Sequence, residues 1–502
     1  MLKALFLSIF SAGLLVLSFP HASLTFLVWV GLIPFFFALD GASRRRAFGL
    51  GYLTGFLFFL GTLWWIGHVT VLGMLLLVSY LALYFGCFGF FCSWSSRFNP
   101  LIKVFLIPAG YVALEFIRER IFTGFGWSSL GHSQGMNTLI IQIADLTGVA
   151  GVSFLLVMVN VILKEFWARI SEKFAPDKYF KVALLTTVGI FFLAVMYGVA
   201  CLGIPQEEKT LRVAVLQPDI PLAAVWEEGT KPAIVEKHLE LSREALRARP
   251  DIIFWPETSF PQFSWEHPEL FKEVKDFSRE AKTPLLIGSV TKEGAAYFNS
   301  AVMLNPDGSE GPIYSKTHLV LFGEYIPFRA QLPFVVEMAG IDDFTPGAEH
   351  PLFPVKEKGV FAVLICFEDT IPWLAREEAR QGAQFLVNIT NDAWFKGSPG
   401  AVMHFENAIF RTVENRRSLV RSTNTGVSAL ISPYGIPLRV IQDSLGQRVM
   451  VSGIAVGAIP LSQKQPFYTK FGDVFTYFCF LGILMMLIFG LLKKNITTFT
   501  KG

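Results

Sequence analysis

The sequence predicts a multi-pass α-helical membrane domain of about eight transmembrane helices joined to a water-soluble α/β domain. Three observations carry this expectation. Hydrophobic residues make up 52% of the 502 positions and charged ones only 17%, against roughly 25% charged in ordinary soluble proteins. The charge is unevenly spread: residues 1–205 hold 13 Lys/Arg and 7 Asp/Glu, whereas residues 206–502 hold 30 and 33. Near residue 210 the hydrophobic pattern changes from long unbroken runs to short apolar segments alternating with amphipathic ones. Such hydrophobicity excludes intrinsic disorder. A net charge of +3 scattered along the chain offers no nucleic-acid surface.

Crossing hydrocarbon takes about 20 consecutive apolar residues, because backbone polar groups there are satisfied only within a helix. Seven such segments precede residue 205, at about 2–20, 23–39, 47–67, 70–93, 101–117, 139–163 and 180–203, and an eighth covers 474–492. The first, with Lys3 before an apolar run and small residues near Ala22, also has the form of a cleaved signal peptide. A second span follows almost at once, which favours a retained helix. One set of loops and termini holds Lys3, Arg44, Arg45, Arg46, Arg97, Lys103, Lys164, Arg169, Lys173, Lys178, Lys181, Lys493, Lys494 and Lys501. The other holds only Arg118 and Arg120. Cytoplasmic loops collect Lys and Arg, so both termini are expected in the cytoplasm and the long segment between helices seven and eight outside it. The expected domains are 1–205 with seven helices, an external domain at 206–470, and 471–502 with the last helix and a short cytoplasmic tail.

In the external domain, strand-like runs occupy Leu211–Leu216, Asp251–Trp255, Leu285–Val290, Ser300–Leu304, Val360–Cys366, Phe385–Ile389, Ser418–Ser422 and Val427–Ile431. Helical periodicity marks 231–249, about 267–281, 371–381 and 399–415. Several strands are apolar throughout, as strands covered on both faces are. The Gly/Pro-rich connectors 306–312 and 345–354 read as long loops.

Of the five cysteines, Cys87, Cys92, Cys201 and Cys479 lie in or beside apolar spans, where a thiol behaves as a small hydrophobe. Cys366 stands alone in the external domain, without a partner there for a disulfide. Phosphate-loop, nucleophile-elbow and zinc-helix motifs are absent, which points away from metal or cofactor chemistry. Three polar groups instead stand at the ends of apolar runs: Glu257 in DIIFWPETSFP, Lys316 in IYSKTHLVLFGEYIPF with Glu324 following, and Cys366 in VFAVLICFED. Open α/β sheets place their ligands at strand ends. A carboxylate can take a thiol's proton, and a fixed ammonium can steady a tetrahedral oxyanion, so Glu, Lys and Cys suffice for acyl transfer. Taken singly, the residues have plainer readings: a buried core thiol, a turn cap, a solvated lysine and a surface acid.

The order and setting of these residues change that weighing, for the chain resembles the nitrilase superfamily, whose catalytic set is Glu, Lys and Cys in that order. It is most similar to the apolipoprotein N-acyltransferases, the membrane branch of that superfamily. The stretches that carry the resemblance are GFGWSSLGHSQ (124–134), FWPETSFP (254–261), YFNSAVML (297–304), YSKTHLVLFGEYIPFR (314–329), DDFTPG (342–347), ICFED (365–369), NITNDAWF (388–395) and RTVENRRSLVRSTNTGVSALISPYG (411–435). The resemblance spans essentially the whole chain. It implies an αββα sandwich for the external domain and a location in the bacterial inner membrane with the catalytic domain periplasmic. It also implies acyl transfer from a phospholipid, typically phosphatidylethanolamine, to the N-terminal amine of a diacylglyceryl-modified apolipoprotein. By position Glu257 is the general base, Lys316 the oxyanion-stabilising cation and Cys366 the nucleophile. Glu324 matches an auxiliary glutamate. Phe367 and Glu368 match the residues after the nucleophile, Trp226 and Trp394 match aromatics lining the site, and Asn299 is an auxiliary residue of the YFNSAVML stretch. Two departures stand out: Phe367 replaces a frequent Tyr, and Val225 replaces a frequent Lys before Trp226.

A thioester must be shielded from water, so the Phe- and Pro-rich loops 259–265, 326–336 and 344–354 are expected to form a lid, with Phe334 and Phe353 as its apolar contacts. Two rival readings are an anchored amidase acting on a small soluble substrate and a transporter whose external domain only binds ligand. Eight helices are excessive for an anchor, and ionisable residues within the spans, such as Asp145 and His68 near span ends, are too few for an evident translocation path.

Overall fold

The computed structural model describes all residues except 123, 173–174, 205–208, 226, 261–265, 332–342 and 500–502. The chain divides into two compact units, Met1–Gly203 with Phe471–Gly502, and Ile204–Lys470.

The first unit is helical. Among the described residues, five helices are long and apolar enough to cross a membrane: Arg44–His68, Val71–Ser95, Pro100–Arg118, Val149–Ser171 and Lys178–Leu202. Shorter apolar helices occupy Leu2–Leu17, Thr25–Ala38 and Val474–Gly490. Short polar side chains cap several of them, since the first amides of a helix lack partners. Thr70 accepts from Gly73, Asn99 from Ile102 and Asp177 from Phe180.

Two expected spans differ in detail. Segment 23–39 is broken into a 3-10 turn Thr25–Leu27 and helices Val28–Gly31 and Ile33–Ala38. A break exposes backbone groups that lipid cannot satisfy. Buried Asn160 meets both sides of it, accepting from the Leu32 amide at 2.9 Å and donating to the Val28 carbonyl at 2.9 Å. Segment 139–163 becomes one long helix only from Val149. Before it, a 3-10 turn Ile140–Ile143 and a short helix Ala144–Thr147 end at Gly148, whose φ of 66° a continuous helix cannot contain. The loop 124–134 is held by side chains of the helix Pro100–Arg118: Glu115 accepts from the Leu130 amide and Arg118 donates to Ser129. Gly51 brings the helices Arg44–Leu63 and Val71–Ser95 together, for a Cβ there would lie 2.3 Å from the Phe85 carbonyl oxygen.

The second unit is an αββα sandwich. Its strands are β1 (Thr210–Gln217), β2 (Ile252–Phe254), β3 (Leu285–Glu293), β4 (Ala296–Leu304), β5 (Glu310–Ser315), β6 (Phe353–Val355), β7 (Gly359–Ile365), β8 (Phe385–Thr390), β9 (Ser418–Thr423), β10 (Ala429–Ile431), β11 (Pro437–Val440) and β12 (Gly453–Pro460). They form two sheets of order β12-β1-β2-β3-β4-β5 and β11-β10-β9-β8-β7-β6. The pairs β1–β2, β2–β3, β7–β8 and β8–β9 are parallel.

The apolar runs bury both faces of these strands. Val213, Phe254, Met303, Phe361, Val387 and Val420 belong to the core between the sheets. Ala214, Ile253 and Leu285 face outward against Val235, Leu239, Phe271 and Val274 of the helices Lys231–Leu246 and Pro268–Ala281. The helices Pro372–Arg380 and Gly400–Asn415 cover the other sheet. The connectors 306–312 and 345–354 are shorter than expected, because Glu310–Ser315 and Phe353–Val355 are edge strands.

Candidate active site

The residues singled out from the sequence converge at the strand ends of the sandwich. Glu257 lies just beyond β2 and is 7% exposed. Its Oε1 accepts from Asn299 Nδ2 at 2.8 Å, and its Oε2 accepts from the Asn391 amide at 2.8 Å. Asn299, on β4, uses the same Nδ2 to reach Glu324 Oε1 at 2.8 Å, and its carbonyl accepts from the Lys316 amide at 2.8 Å. Lys316 follows β5 and is 1% exposed. Its ammonium donates to Glu324 at 2.9 Å and lies 3.7 Å from Glu257 Oε1. One lysine between two carboxylates satisfies the requirement that buried charge be paired.

Cys366 follows β7 directly and opens a 3-10 turn, Cys366–Thr370. Its φ is 52°, an uncommon left-handed conformation for a residue with a side chain, of the kind that clusters at functional sites. Glu368 fixes this turn. Fully buried, it accepts from the Ile365 amide at 2.8 Å, the Thr317 amide at 2.8 Å, the His318 amide at 3.0 Å and the Tyr314 hydroxyl at 2.9 Å. A single carboxylate thereby joins the turn holding Cys366 to the loop holding Lys316.

The charges act on one another. Burial raises the Glu257 carboxyl above its ordinary range, with Lys316 pulling it down and Glu324 pushing it up. Burial disfavours the charged form of Lys316, yet Glu324 and then Glu257 hold its ammonium well above the usual lysine range. Burial, then the charge of Glu257, push the Cys366 thiol well up, while Lys316 works the other way. The sulfur therefore rests as a thiol, and attack on a carbonyl needs a base to take its proton. Glu257 is the carboxylate acting on it most strongly.

The aromatics fare differently. Phe367 stacks on His318, ring centroids 6.2 Å apart. Trp394 is 44% exposed in the turn Asp392–Phe395, and Trp226 lies outside the described residues. One residue of the expected lid needs correction, and lid residues 261–265 and 332–336 lie outside the described residues. Phe353 is fully buried in β6 and stacks on Phe361 between the sheets, and Phe260 is equally buried against Phe271. Both are core residues, Phe353 in the cluster between the sheets and Phe260 in the cluster on the outer face of the first sheet. Phe334 lies outside the described residues.

Sequence reasoning missed a buried cluster behind Cys366. Asp369, Asp392, His404 and Arg421 are each 0–1% exposed and joined by ion pairs. They come from four separate elements, and His404 reads in sequence as one more residue on the buried side of an amphipathic helix.

Residues 11–162 match the family model of the apolipoprotein N-acyltransferase N-terminal domain, and residues 212–463 match that of the carbon-nitrogen hydrolases. A protein of Geobacter metallireducens named apolipoprotein N-acyltransferase is 35% identical, with 98% of this chain and 96% of that one covered. One of the same name from Allorhizobium ampelinum is 30% identical, with 88% and 85% covered. Among solved structures, an amidase from Nesterenkonia sp. is 18% identical with a TM-score of 0.38, covering 51% of this chain and 92% of that one.

Proposed function

The chain belongs to the apolipoprotein N-acyltransferase family, enzymes that N-acylate lipoproteins, and from that premise we propose how its own residues perform the transfer. Glu257 is the general base, Lys316 the oxyanion-stabilising cation and Cys366 the nucleophile. The observation that carries this assignment is the buried Glu257–Lys316–Glu324 group joined through Asn299, whose charges act on a thiol held in a left-handed turn.

In the first half-reaction Glu257 takes the Cys366 proton and the sulfur attacks the ester carbonyl of a phospholipid. The negative oxygen of the tetrahedral intermediate faces the Lys316 ammonium and backbone amides such as that of Phe367. The C–O bond then breaks, the departing alkoxide takes the proton from Glu257, and lysophospholipid leaves an acyl thioester on Cys366. In the second half-reaction the N-terminal amine of a diacylglyceryl-modified lipoprotein attacks the thioester and gives its proton to Glu257. The C–S bond breaks and the thiolate regains that proton. An amide is formed and the enzyme is restored.

The donor is a phospholipid, with phosphatidylethanolamine the expected headgroup. Residues 206–470 lie outside the cytoplasm of a bacterial inner membrane and both termini lie inside, a topology supported by the one-sided placement of Lys and Arg. Both substrates are amphiphiles held in one leaflet, so attachment to the membrane keeps the thiol near bonds that rarely leave it. Glu324 and Asn299 hold the Lys316 ammonium and the Glu257 carboxylate in place, Glu368 and Phe367 shape the turn after the nucleophile, and Trp226 and Trp394 contact acyl chain or acceptor.

The test is incubation of the purified protein with acyl-labelled phosphatidylethanolamine and a diacylated lipopeptide. Label in a triacylated lipopeptide is expected. Hydrolysis of small amides without lipid transfer would contradict the reading.

A further inference from the structure

The buried cluster behind Cys366 links the two loops on which the chemistry depends. We propose that His404 is a positioning residue: lodged between Asp369 and Asp392, it fixes the turn carrying Cys366 against the loop whose Asn391 amide binds Glu257. The inference rests on the reading of Cys366 as nucleophile and Glu257 as base.

The geometry is specific. His404 stands on the helix Gly400–Asn415, its Nδ1 2.8 Å from Asp392 Oδ1 and its Nε2 2.8 Å from Asp369 Oδ1. Asp369 belongs to the turn Cys366–Thr370, and Asp392 opens the turn after β8. The residue before Asp392 is Asn391, whose amide donates to Glu257 Oε2 at 2.8 Å. One imidazole thus spans the distance between the thiol's turn and the base's anchor. Arg421, from β9, completes the cluster, donating to Asp369, to Asp392 Oδ2 at 3.3 Å and to Asn388. Asn388 in turn donates to the Cys366 carbonyl at 3.1 Å.

The chemistry fixes the charge on the ring. An ionised carboxylate only accepts hydrogen bonds, so a ring with a carboxylate at each nitrogen carries a proton on both. Two carboxylates and two cations then balance in a volume closed to water, where an unpaired ion would be costly. Burial and the charge of Arg421 both push the His404 pKa down, and the carboxylates of Asp369 and Asp392 outweigh them, holding it up at about 9. The Phe395 ring stands edge-on 6.2 Å away. Asp392 also pushes the Cys366 thiol upward, so neutralising the imidazolium would leave two carboxylates sharing the one Arg421 guanidinium near the nucleophile, as well as a loosened loop.

The experiment compares His404→Gln with the double variant His404→Gln/Asp392→Asn, in the full-length protein in detergent with phosphatidylethanolamine and lipopeptide. Displacement of reacting groups by about 1 Å costs on the order of 100-fold. The single variant is therefore expected to unfold at a lower temperature than the parent and, assayed well below that temperature, to lose about 100-fold in kcat with KM within about threefold. The double variant, neutral again, should regain about tenfold. Parental kcat in His404→Gln overturns the proposal, as does a double variant no faster than the single. If His404→Gln does not fold, ring-15N spectra of the parent decide. A His404 ring protonated on both nitrogens at about pH 8, read in a His350→Gln background so that His350 does not contribute, supports the proposal, and its absence overturns it. Acylation surviving in Cys366→Ala would instead sink the underlying assignment. An inert Cys366→Ala beside an unimpaired His404→Gln would sink this inference alone.

Discussion

The Lys316 ammonium stands 3.7 Å from Glu257 Oε1, beyond hydrogen-bond length, with both side chains at most 8% exposed. Over that distance it acts on Glu257 as a charge, and at low effective dielectric such a charge is felt strongly. In the proposed reaction the same ammonium therefore matters twice, once for the base and once for the oxyanion.

Lys316→Met should make both roles visible. Burial raises the Glu257 carboxyl and the ammonium pulls it back down. Without the ammonium the carboxyl rises further, and a base that works only when ionised then needs a higher pH. The acid limb of the kcat/KM profile is expected to move to higher pH, with the plateau lowered about 100- to 1000-fold. A limb that stays or moves to lower pH would contradict this coupling.

Glu368→Gln tests the brace between the two loops. The carboxylate accepts amides of Ile365, Thr317 and His318, and an amide side chain replaces one accepting oxygen with a donor. At least one buried amide then loses its partner, at a cost of about 1–3 kcal/mol. Reduced unfolding temperature together with an acylation rate down about 10- to 100-fold is expected from stopped-time mass spectrometry. A parental acylation rate would show that the brace does not set the site.

Phe353→Ala separates a core residue from a lid. Deleting a fully buried, stacked ring typically costs about 3–5 kcal/mol, and Phe353 is 0% exposed. The variant should unfold at markedly lower temperature. Below that temperature its ratio of lysophospholipid release to lipopeptide acylation should be unchanged. A raised ratio in a stable protein would restore a shielding role.

In the membrane unit, Gly51→Ala should destabilise where Gly49→Ala does not. A Cβ at Gly51 meets the Phe85 carbonyl at 2.3 Å, whereas one at Gly49 meets nothing within 4 Å. Overpacking of this kind costs about 1–3 kcal/mol. Thermal unfolding of the two variants in one detergent checks the difference, and equal unfolding temperatures would contradict it.

The pattern of what was legible in the sequence has a physical cause. The eight strand runs read from the sequence are β1–β4 and β7–β10, which lie inside the sheets, and the four missed, β5, β6, β11 and β12, are the edges. Interior strands need apolar residues throughout, whereas an edge tolerates Gly311 and Pro312 in β5, Pro354 in β6 or Pro437 in β11. The helices Lys231–Leu246, Pro268–Ala281, Pro372–Arg380 and Gly400–Asn415 followed from periodicity, while the membrane helices broke where Gly148 and the Asn160 contact override hydropathy. Glu257, Lys316, Glu324 and Cys366 stood out because each polar group interrupts or ends an apolar run. Phe353 misled for the opposite reason: beside Pro354 it resembled a loop, and only pairing with β7 puts it in the core. The cluster around His404 was not legible as a cluster: Asp369, Asp392 and Arg421 lie in three separate stretches of the family resemblance, and His404 lies in none of them.

The central claim is that the acyl group passes through the Cys366 sulfur. Intact-mass analysis of the purified protein after exposure to phosphatidylethanolamine tests it directly. The parent should gain the mass of one acyl chain less water and lose it on addition of a diacylated lipopeptide, and Cys366→Ala should gain nothing. The same adduct on Cys366→Ala, discharged by the same lipopeptide, would contradict the account.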